Sequence, residues 1–142
     1  MIDIQEPTIS DAAAIAALLD SLGYPGTEPF IESRITELIS HDDDVLLTAV
    51  KENVVIGVIS LHFIPQLALP RDLCRISYFC VSESSRGEGV GARLESHAVD
   101  IAKARGCDRI EVHCHFRRVD AHRFYDRQGY VESPKYLYKS LR

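Results

Sequence analysis

The sequence predicts a single-domain α/β (α+β) fold: a mixed, mostly antiparallel, twisted sheet of about seven strands flanked by four helices. Two apolar segments, residues 45–50 and 54–64, are joined by a short polar turn, which is typical of an antiparallel hairpin. A strand, a glycine-containing loop and an amphipathic helix then follow between residues 76 and 101, which is typical of a parallel crossover. Because the 142 residues contain neither a linker nor an internal repeat, we expect one domain over residues 1–142.

The first half of the chain predicts three strands and two helices. Isoleucines alternate with polar residues at the start, which favours a short strand. Apolar residues at helical spacing then predict two amphipathic helices. The strands are predicted at residues 2–4, 45–50 and 54–64, and the helices at residues 11–22 and 28–39. Gly57 lies inside the third strand, where it indicates a bulge or a close approach of another segment to the backbone.

The second half of the chain predicts four strands and two helices. A run of β-branched and aromatic residues predicts a buried strand before the glycine loop, and Gly106 ends the helix after it. The strands are predicted at residues 76–81, 109–115, 130–131 and 136–141, and the helices at residues 90–105 and 119–127.

The loop before the third helix has the composition of an anion-binding site. Gly87, Gly89 and Gly91 fall at alternate positions directly after Arg86. A helix N-terminus carries unpaired N–H groups and a partial positive charge, and glycine lets a ligand approach the backbone closely. Arginine adds a planar set of donors. The loop therefore predicts a site for a phosphate or pyrophosphate group.

Three known motifs compete for this loop. Gly87-x-Gly89-x-x-Ala92 fits the dinucleotide-binding pattern, but that pattern belongs in an early strand–helix turn, and only 50 residues follow Ala92. A Walker P-loop is excluded because no Gly-Lys-Ser/Thr follows. The third motif is Arg86-x-x-Gly89-x-Gly91, which resembles the Gln/Arg-x-x-Gly-x-Gly/Ala signature of the GCN5-related N-acetyltransferase (GNAT) superfamily. In that superfamily the signature binds the pyrophosphate of acetyl-coenzyme A.

A second segment strengthens this resemblance. Residues 121–130, Ala-His-Arg-Phe-Tyr-Asp-Arg-Gln-Gly-Tyr, are similar to the superfamily's A-x-x-F/L-Y-x-x-x-G-F/Y. The predicted order of elements also resembles the superfamily fold over nearly the whole chain. Within the superfamily, residues 120–125 look like the corresponding segment of aminoalkylphosphonate acetyltransferases, although six residues do not identify a substrate.

The resemblance implies acetyl-CoA as co-substrate. Tyr125 matches the tyrosine that often protonates the departing thiolate, whereas Arg118 stands where the superfamily commonly has asparagine. The residues implied to bind the pantetheine arm are Phe79, Cys80 and Val81. The residues implied to bind the pyrophosphate are Arg86, Gly87, Glu88, Gly89, Val90, Gly91 and Ala92.

The general base is not evident from the sequence. Members of the superfamily often place a glutamate on the strand before the glycine loop, but residues 76–80 contain no carboxylate, and Tyr78 falls near the matching position. The alternative candidates are His62, Glu111, His113 and His115, each of which is also explicable as a structural or surface residue. The acidic run 42–44 is typical of a solvated loop. We expect no metal site, because the histidines lack metal-ligand spacing.

Composition and charge exclude some classes of binding partner. The net charge of −5 argues against nucleic acid and acidic membranes as partners, and no apolar run approaches the roughly 20 residues needed to cross a bilayer. The start of the chain has no pattern of a secretory signal. The cysteines, Cys74, Cys80, Cys107 and Cys114, contain no C-x-x-C pair and are interpreted as free thiols in a reducing, cytoplasmic environment.

The sequence thus favours an enzyme, an acetyl-CoA-dependent N-acetyltransferase that acts by direct attack of a primary amine. A small-molecule amine is the first choice of acceptor and a protein amine the second. Because the strand before the glycine loop lacks the expected carboxylate, the protein could instead be a non-catalytic module that binds acyl-CoA. A dinucleotide-binding oxidoreductase is the third hypothesis. A homodimer through the closing strands is also open, because an uncovered sheet edge invites pairing.

Overall fold

A computed structural model describes residues 1–113, 118–133 and 136–142. Two 3-10 turns, Ile9–Asp11 and Glu83–Ser85, precede the first and third helices. The strands are β1 (Ile2–Gln5), β2 (Asp44–Lys51), β3 (Val54–Ile64), β4 (Leu73–Val81) and β5 (Arg109–Val112). The helices are α1 (Ala12–Leu22), α2 (Ile31–Ser40), α3 (Val90–Ala104) and α4 (Val119–Arg127). The four predicted helices are therefore confirmed.

The strands form one sheet in the order β1-β2-β3-β4-β5. The first three pairings are antiparallel and the pairing of β4 with β5 is parallel, so the predicted hairpin and crossover are both present. The β3–β4 ladder contains a bulge, because Ser60 pairs with Tyr78 and Leu61 pairs with Ile76. Ser77 is the extra residue of β4 at this point.

The sheet is covered on both faces. Helices α1 and α2 pack on one face, against side chains that include Val58 and Cys80, and α3 packs on the other. Gly57 lies under α3, where a Cβ atom would come within 2.9 Å of the Leu94 Cδ1 atom and 3.3 Å of the Cys80 carbonyl oxygen. The close approach predicted at Gly57 is thus confirmed, and it sets how near α3 lies to the sheet.

The prediction of two closing strands, at residues 130–131 and 136–141, is wrong. The sheet of the described residues has five strands rather than about seven, and residues 130–133 and 136–142 form no strand. Val131, Leu137 and Leu141 are 86–91% exposed, so these apolar side chains contribute little burial energy to a sheet face. Alternation alone does not create a strand when no neighbouring ladder and no buried face stabilise it.

The described cysteines contain no disulfide. Cys74 and Cys80 are buried and Cys107 is partly buried, as free thiols, which agrees with the interpretation of the sequence. Burial raises the pKa of the Cys74 thiol to about 12. Cys114 and His115 lie outside the described residues. Among the helices of the described chain, none has the length and apolarity needed to cross a membrane.

Candidate active site

The sheet opens where β4 and β5 part. Their parallel pairing ends at Ile76 and Val112, whereas β4 continues to Val81. A cavity of about 720 Å³ lies at this opening, between the glycine loop, α4 and the end of α1. Its volume lies in the range typical of ligand sites. The opening between the strands therefore provides the room that an extended ligand needs.

The glycine loop forms one wall of this large cavity. Gly87 and Gly89 adopt positive φ angles of 84° and 80°, which glycine tolerates and other residues rarely adopt. Gly89 is the N-cap of α3 and supplies no side-chain cap, and the Arg93 N–H donates to the Gly89 carbonyl at 3.1 Å. The N–H groups of the first turn of α3 precede this bond, so helix geometry gives them no partner within the helix.

The structure brings most of the loop residues to the cavity but not Glu88. The lining includes Ser85, Arg86, Gly87, Gly89, Val90, Gly91 and Ala92. The Glu88 carboxylate accepts a hydrogen bond from Lys51 Nζ at 3.0 Å instead. A carboxylate would repel a pyrophosphate, so this ion pair keeps a negative charge away from the cavity. Three arginines, Arg86, Arg118 and Arg127, line the cavity.

Gly91 shows why the loop requires a small residue there. A Cβ atom at this position would lie 3.3 Å from the Phe124 Cε1 atom on α4. The Phe124 ring in turn meets the Phe79 ring edge-to-face, with 5.6 Å between the ring centroids. The glycine therefore lets α3 and α4 meet above β4.

The end of β4 supplies the opposite wall. Phe79, Cys80 and Val81 all line the large cavity. The Cys80 thiol donates to the Leu18 carbonyl at 3.3 Å, which directs it into the α1 packing. Tyr125 lines the cavity from α4, is only 8% exposed, and lies 6.2 Å from Phe79 between ring centroids. The residues implied to bind acetyl-CoA or to act as the acid, apart from Glu88, thus surround one cavity.

A smaller cavity of about 80 Å³ adjoins the large one. Residues common to both linings are Leu22, Phe79, Arg118 and Tyr125. The small cavity alone is lined by Tyr24, Ile76, Ser77, Tyr78, Val112 and His113. Burial first, and then the neighbouring Tyr24 and Tyr136, raise the pKa of Tyr78, so its phenol stays protonated at neutral pH. Tyr125 stands where the two cavities meet.

The candidate bases have different surroundings. Glu111 accepts a hydrogen bond from Arg75 Nε at 2.8 Å, so its carboxylate is paired with a guanidinium. The His113 ring lies 4.5 Å from that of Tyr136 between centroids, at the small cavity. His62 is hydrogen-bonded on both ring nitrogens, to Asp44 and Ser77.

The sequence did not identify Asp44 and Ser77 as partners of His62. Asp44 belongs to the acidic run interpreted as a loop, but it begins β2. Ser77 reaches His62 because of the bulge, which no sequence signal predicts. Among the described residues, no group of three or more His, Cys, Asp or Glu side chains is arranged to hold a metal ion.

Comparison with known proteins decides the family. The model of the acetyltransferase (GNAT) family matches residues 13–130, which contain both walls of the large cavity. The chain belongs to the GNAT acetyltransferase family. This membership favours the acetyltransferase interpretation of the glycine motif over the dinucleotide-binding one.

Three individual proteins are similar to this GNAT protein in sequence or in fold. The aminoalkylphosphonate N-acetyltransferase of Salmonella typhimurium is 33% identical over 93 residues, which are 66% of this chain and 60% of that enzyme. A transcriptional regulator from Bacillus halodurans C-125 is 25% identical, with a TM-score of 0.89 and coverage of 99% of this chain and 100% of that one. The glucosamine-6-phosphate N-acetyltransferase of Arabidopsis thaliana, 21% identical with a TM-score of 0.86 and coverage of 100% and 99%, shows the same fold.

Proposed function

We propose that the protein is an acetyl-CoA-dependent N-acetyltransferase that acetylates a primary amine of a small molecule by direct attack. The observation that carries this proposal is the position of Tyr125, where the large cavity meets the small one. A donor in the large cavity and an acceptor in the small cavity would come together beside its phenol. Free thiols in the core are compatible with a cytoplasmic enzyme.

The residues of the large cavity fit acetyl-CoA. The α3 N-terminus and Arg86 would hold the pyrophosphate, because unpaired N–H groups and a guanidinium both favour a phosphate. The backbone of β4 from Phe79 to Val81 would hydrogen-bond the pantetheine arm, since β5 ends before that part of β4. The backbone of Glu88 would also belong to the pyrophosphate site, although its carboxylate is hydrogen-bonded to Lys51.

The reaction then needs two further contributions from the protein. A backbone N–H on the splayed part of β4 would stabilise the oxyanion of the tetrahedral intermediate, a contribution of about 3 kcal/mol for such a donor. Tyr125 would give its phenolic proton to the coenzyme A thiolate as the carbon–sulfur bond breaks. The amine nitrogen forms the new bond to the acetyl carbon and loses a proton.

The small cavity suggests a compact acceptor that carries an anionic group. Its volume of about 80 Å³ suits a few heavy atoms, and the aromatic pair Tyr24 and Tyr78, with centroids 5.1 Å apart, forms one side. Arg118 lines both cavities and offers a guanidinium beside the acceptor. An aminoalkylphosphonate, the substrate class in the name of the Salmonella relative, combines a small amine with such an anion.

Calorimetry followed by a turnover assay tests the proposal. We expect acetyl-CoA to bind with salt-sensitive affinity and NADH not to bind, and we expect aminomethylphosphonate to drive release of free coenzyme A thiol. Arg118→Ala should raise the KM for aminomethylphosphonate by about tenfold, the effect of losing one charged hydrogen bond of about 1.5 kcal/mol, and leave the KM for a neutral amine unchanged. Absence of acetyl-CoA binding would refute the assignment of the large cavity.

A non-catalytic acyl-CoA-binding module is the second candidate. It is favoured by the absence of a carboxylate from β4, whose residues are Leu-Cys-Arg-Ile-Ser-Tyr-Phe-Cys-Val. Such a module would bind acetyl-CoA as tightly but release no thiol with any small amine or with peptides that present an α-amine or lysine. A peptide that is turned over faster than small amines would instead favour a protein acceptor.

We further propose a homodimer formed through the C-terminal segment. Tyr136, Leu137, Tyr138 and Leu141 are 63–90% exposed, and β5 is an edge strand of the described sheet. A second copy would bury these apolar side chains and pair the edge. Light scattering during gel filtration should give twice the chain mass, and replacing Leu137 and Leu141 by serine should give monomers. A wild-type monomer at all concentrations would exclude the dimer.

A further inference from the structure

Three polar side chains form a continuous hydrogen-bonded chain on the sheet. The His62 Nδ1 atom lies 2.6 Å from the Asp44 Oδ1 atom, and the His62 Nε2 atom lies 2.7 Å from the Ser77 Oγ atom. Each residue comes from a different strand, β2, β3 or β4. The contacts therefore depend on the register of the sheet and not on neighbours in sequence.

The register explains why these residues meet. Asp44 and His62 are cross-strand partners in the β2–β3 ladder, so their side chains lie on the same face. Ser77 is the extra residue at the β4 bulge, and its hydroxyl group is thereby directed to His62 rather than following the regular alternation. The register shift of the β3–β4 ladder falls between Ser60 and Leu61, directly before His62.

The charges around His62 set the direction in which protons can move. Burial raises the pKa of Asp44, but hydrogen bonds with His62 and His41 outweigh it, so the pKa lies below its ordinary value. The ionised carboxylate can only accept, so His62 Nδ1 donates to it and Nε2 is left to accept from Ser77. Arg75 lies opposite His62 in the β3–β4 register, and Glu111 on β5 pairs with its guanidinium.

The other end of the chain reaches the proposed acceptor site. Ser77 lines the small cavity together with Tyr125, whereas His62 and Asp44 do not line it. The Ser77 hydroxyl can donate to His62, or to the Ser60 carbonyl oxygen at 3.5 Å once His62 itself donates. Ser77 thus has a hydrogen-bond partner both before and after it passes a proton on.

We propose that Ser77, His62 and Asp44 form the relay that removes the proton from the acceptor amine, an inference that rests on the proposed function. One proton of the ammonium moves to the Ser77 oxygen while the Ser77 proton moves to His62 Nε2. The nitrogen lone pair then forms the bond to the acetyl carbon, and the thioester carbon–sulfur bond breaks. The departing thiolate takes the proton of Tyr125, and the nitrogen gives its second proton to Tyr125 as the amide forms. The one net proton released by the reaction is the one on His62, which passes it to solvent.

This relay supplies the base that β4 itself lacks. A serine at the cavity wall has no useful basicity of its own, but the His62 imidazole hydrogen-bonded behind it can accept the proton that the serine passes on. Asp44 fixes the tautomer and stabilises the imidazolium that forms. Ser77 contacts the substrate in this scheme, whereas His62 and Asp44 act through it.

The pH dependence of turnover tests the relay. We expect Ser77→Ala, His62→Gln and Asp44→Asn each to lower kcat/KM for aminomethylphosphonate near pH 7 by about 100-fold, a typical contribution of a positioned base. The deficit should shrink as the pH approaches the pKa of the amine, about 10 for an alkyl amine, because the unprotonated amine needs no base. The affinity for acetyl-CoA should not change, and His97→Gln, whose imidazole lies on α3 bonded to the Arg93 carbonyl oxygen, is the matched control.

The outcomes separate this role from the proposed function. The relay would be overturned if all three variants turned over as fast as the wild type, or if their loss of kcat/KM were equal at every pH. Either result would leave the acetyltransferase assignment in place. A wild type that binds acetyl-CoA but acetylates no amine would overturn both.

Nitrogen NMR of the His62 side chain gives a readout that does not need turnover. We expect the Nδ1–H tautomer in the wild type and its loss in Asp44→Asn. An Nε2–H tautomer in the wild type would also overturn the relay.

Discussion

The contact between Gly57 and α3 gives the sharpest test of the packing. A methyl group at this position would lie 2.9 Å from the Leu94 Cδ1 atom and 3.3 Å from both the Val90 Cγ1 atom and the Cys80 carbonyl oxygen. Carbon atoms in contact prefer about 3.5–4.0 Å, so Leu94 must move by more than half an ångström. We therefore expect Gly57→Ala to lower the free energy of unfolding by about 1–3 kcal/mol, the usual cost of overpacking.

A double-mutant cycle shows whether the contact with Leu94 is the cause. Leu94 is fully buried, so Leu94→Ala alone should cost about 2–5 kcal/mol in a urea unfolding assay. Because the added methyl group would occupy part of the space left by leucine, the double variant should be less destabilised than the sum of the two single variants. The close-packing argument would be refuted if the free-energy losses of the two single variants added in the double variant, or if Gly57→Ala were as stable as the wild type. Val90 begins α3, so we also expect Gly57→Ala to weaken acetyl-CoA binding.

Four further predictions follow from individual side chains. Tyr125→Phe should lower kcat by about 100-fold and leave calorimetric acetyl-CoA affinity unchanged, because the substitution removes the phenolic hydroxyl and keeps the ring; full turnover would exclude its role as acid. Tyr130→Phe should cost about 1–3 kcal/mol in urea unfolding, because the buried Glu95 loses the hydroxyl that donates to it at 3.0 Å. The lowered pKa of Asp44 contributes stability that is present above its unfolded pKa, about 4, and is lost as the pH falls through the folded value, so Asp44→Asn should flatten the acid side of the stability curve. Iodoacetamide should alkylate Cys74 only after unfolding, since burial raises its pKa to about 12; rapid labelling of the native protein would contradict its burial.

The sequence predicted those parts of the molecule that local patterns determine. The helices, the hairpin and the glycine loop each have a periodicity or a turn signal of their own. The two family signatures pointed to Arg86 and Tyr125, and the structure brings both residues to one cavity. The prediction of two closing strands was wrong because a strand depends on a partner ladder and a covered face, neither of which its own residues specify.

The acidic side chains were the other part that the sequence did not predict. The run at residues 42–44 is typical of a solvated loop, but Asp44 begins a strand, and its carboxylate is hydrogen-bonded by its cross-strand partner His62 as well as by the nearby His41. Glu88 belongs to the glycine loop by position, yet the distant Lys51 determines where its carboxylate lies. Both outcomes depend on contacts between residues far apart in the chain.

The bulge at Ser77 also divides β4 into two halves with opposite side-chain orientation. Before it, the even-numbered residues Cys74 and Ile76 pack in the core beneath α3, whereas after it the even-numbered Cys80 packs against α1. In the half before the bulge the even-numbered side chains therefore face α3, and in the half that lines the large cavity they face α1. Loss or gain of one residue at this point would exchange the inward and outward sides of residues 79–81 without altering a single amino acid among them.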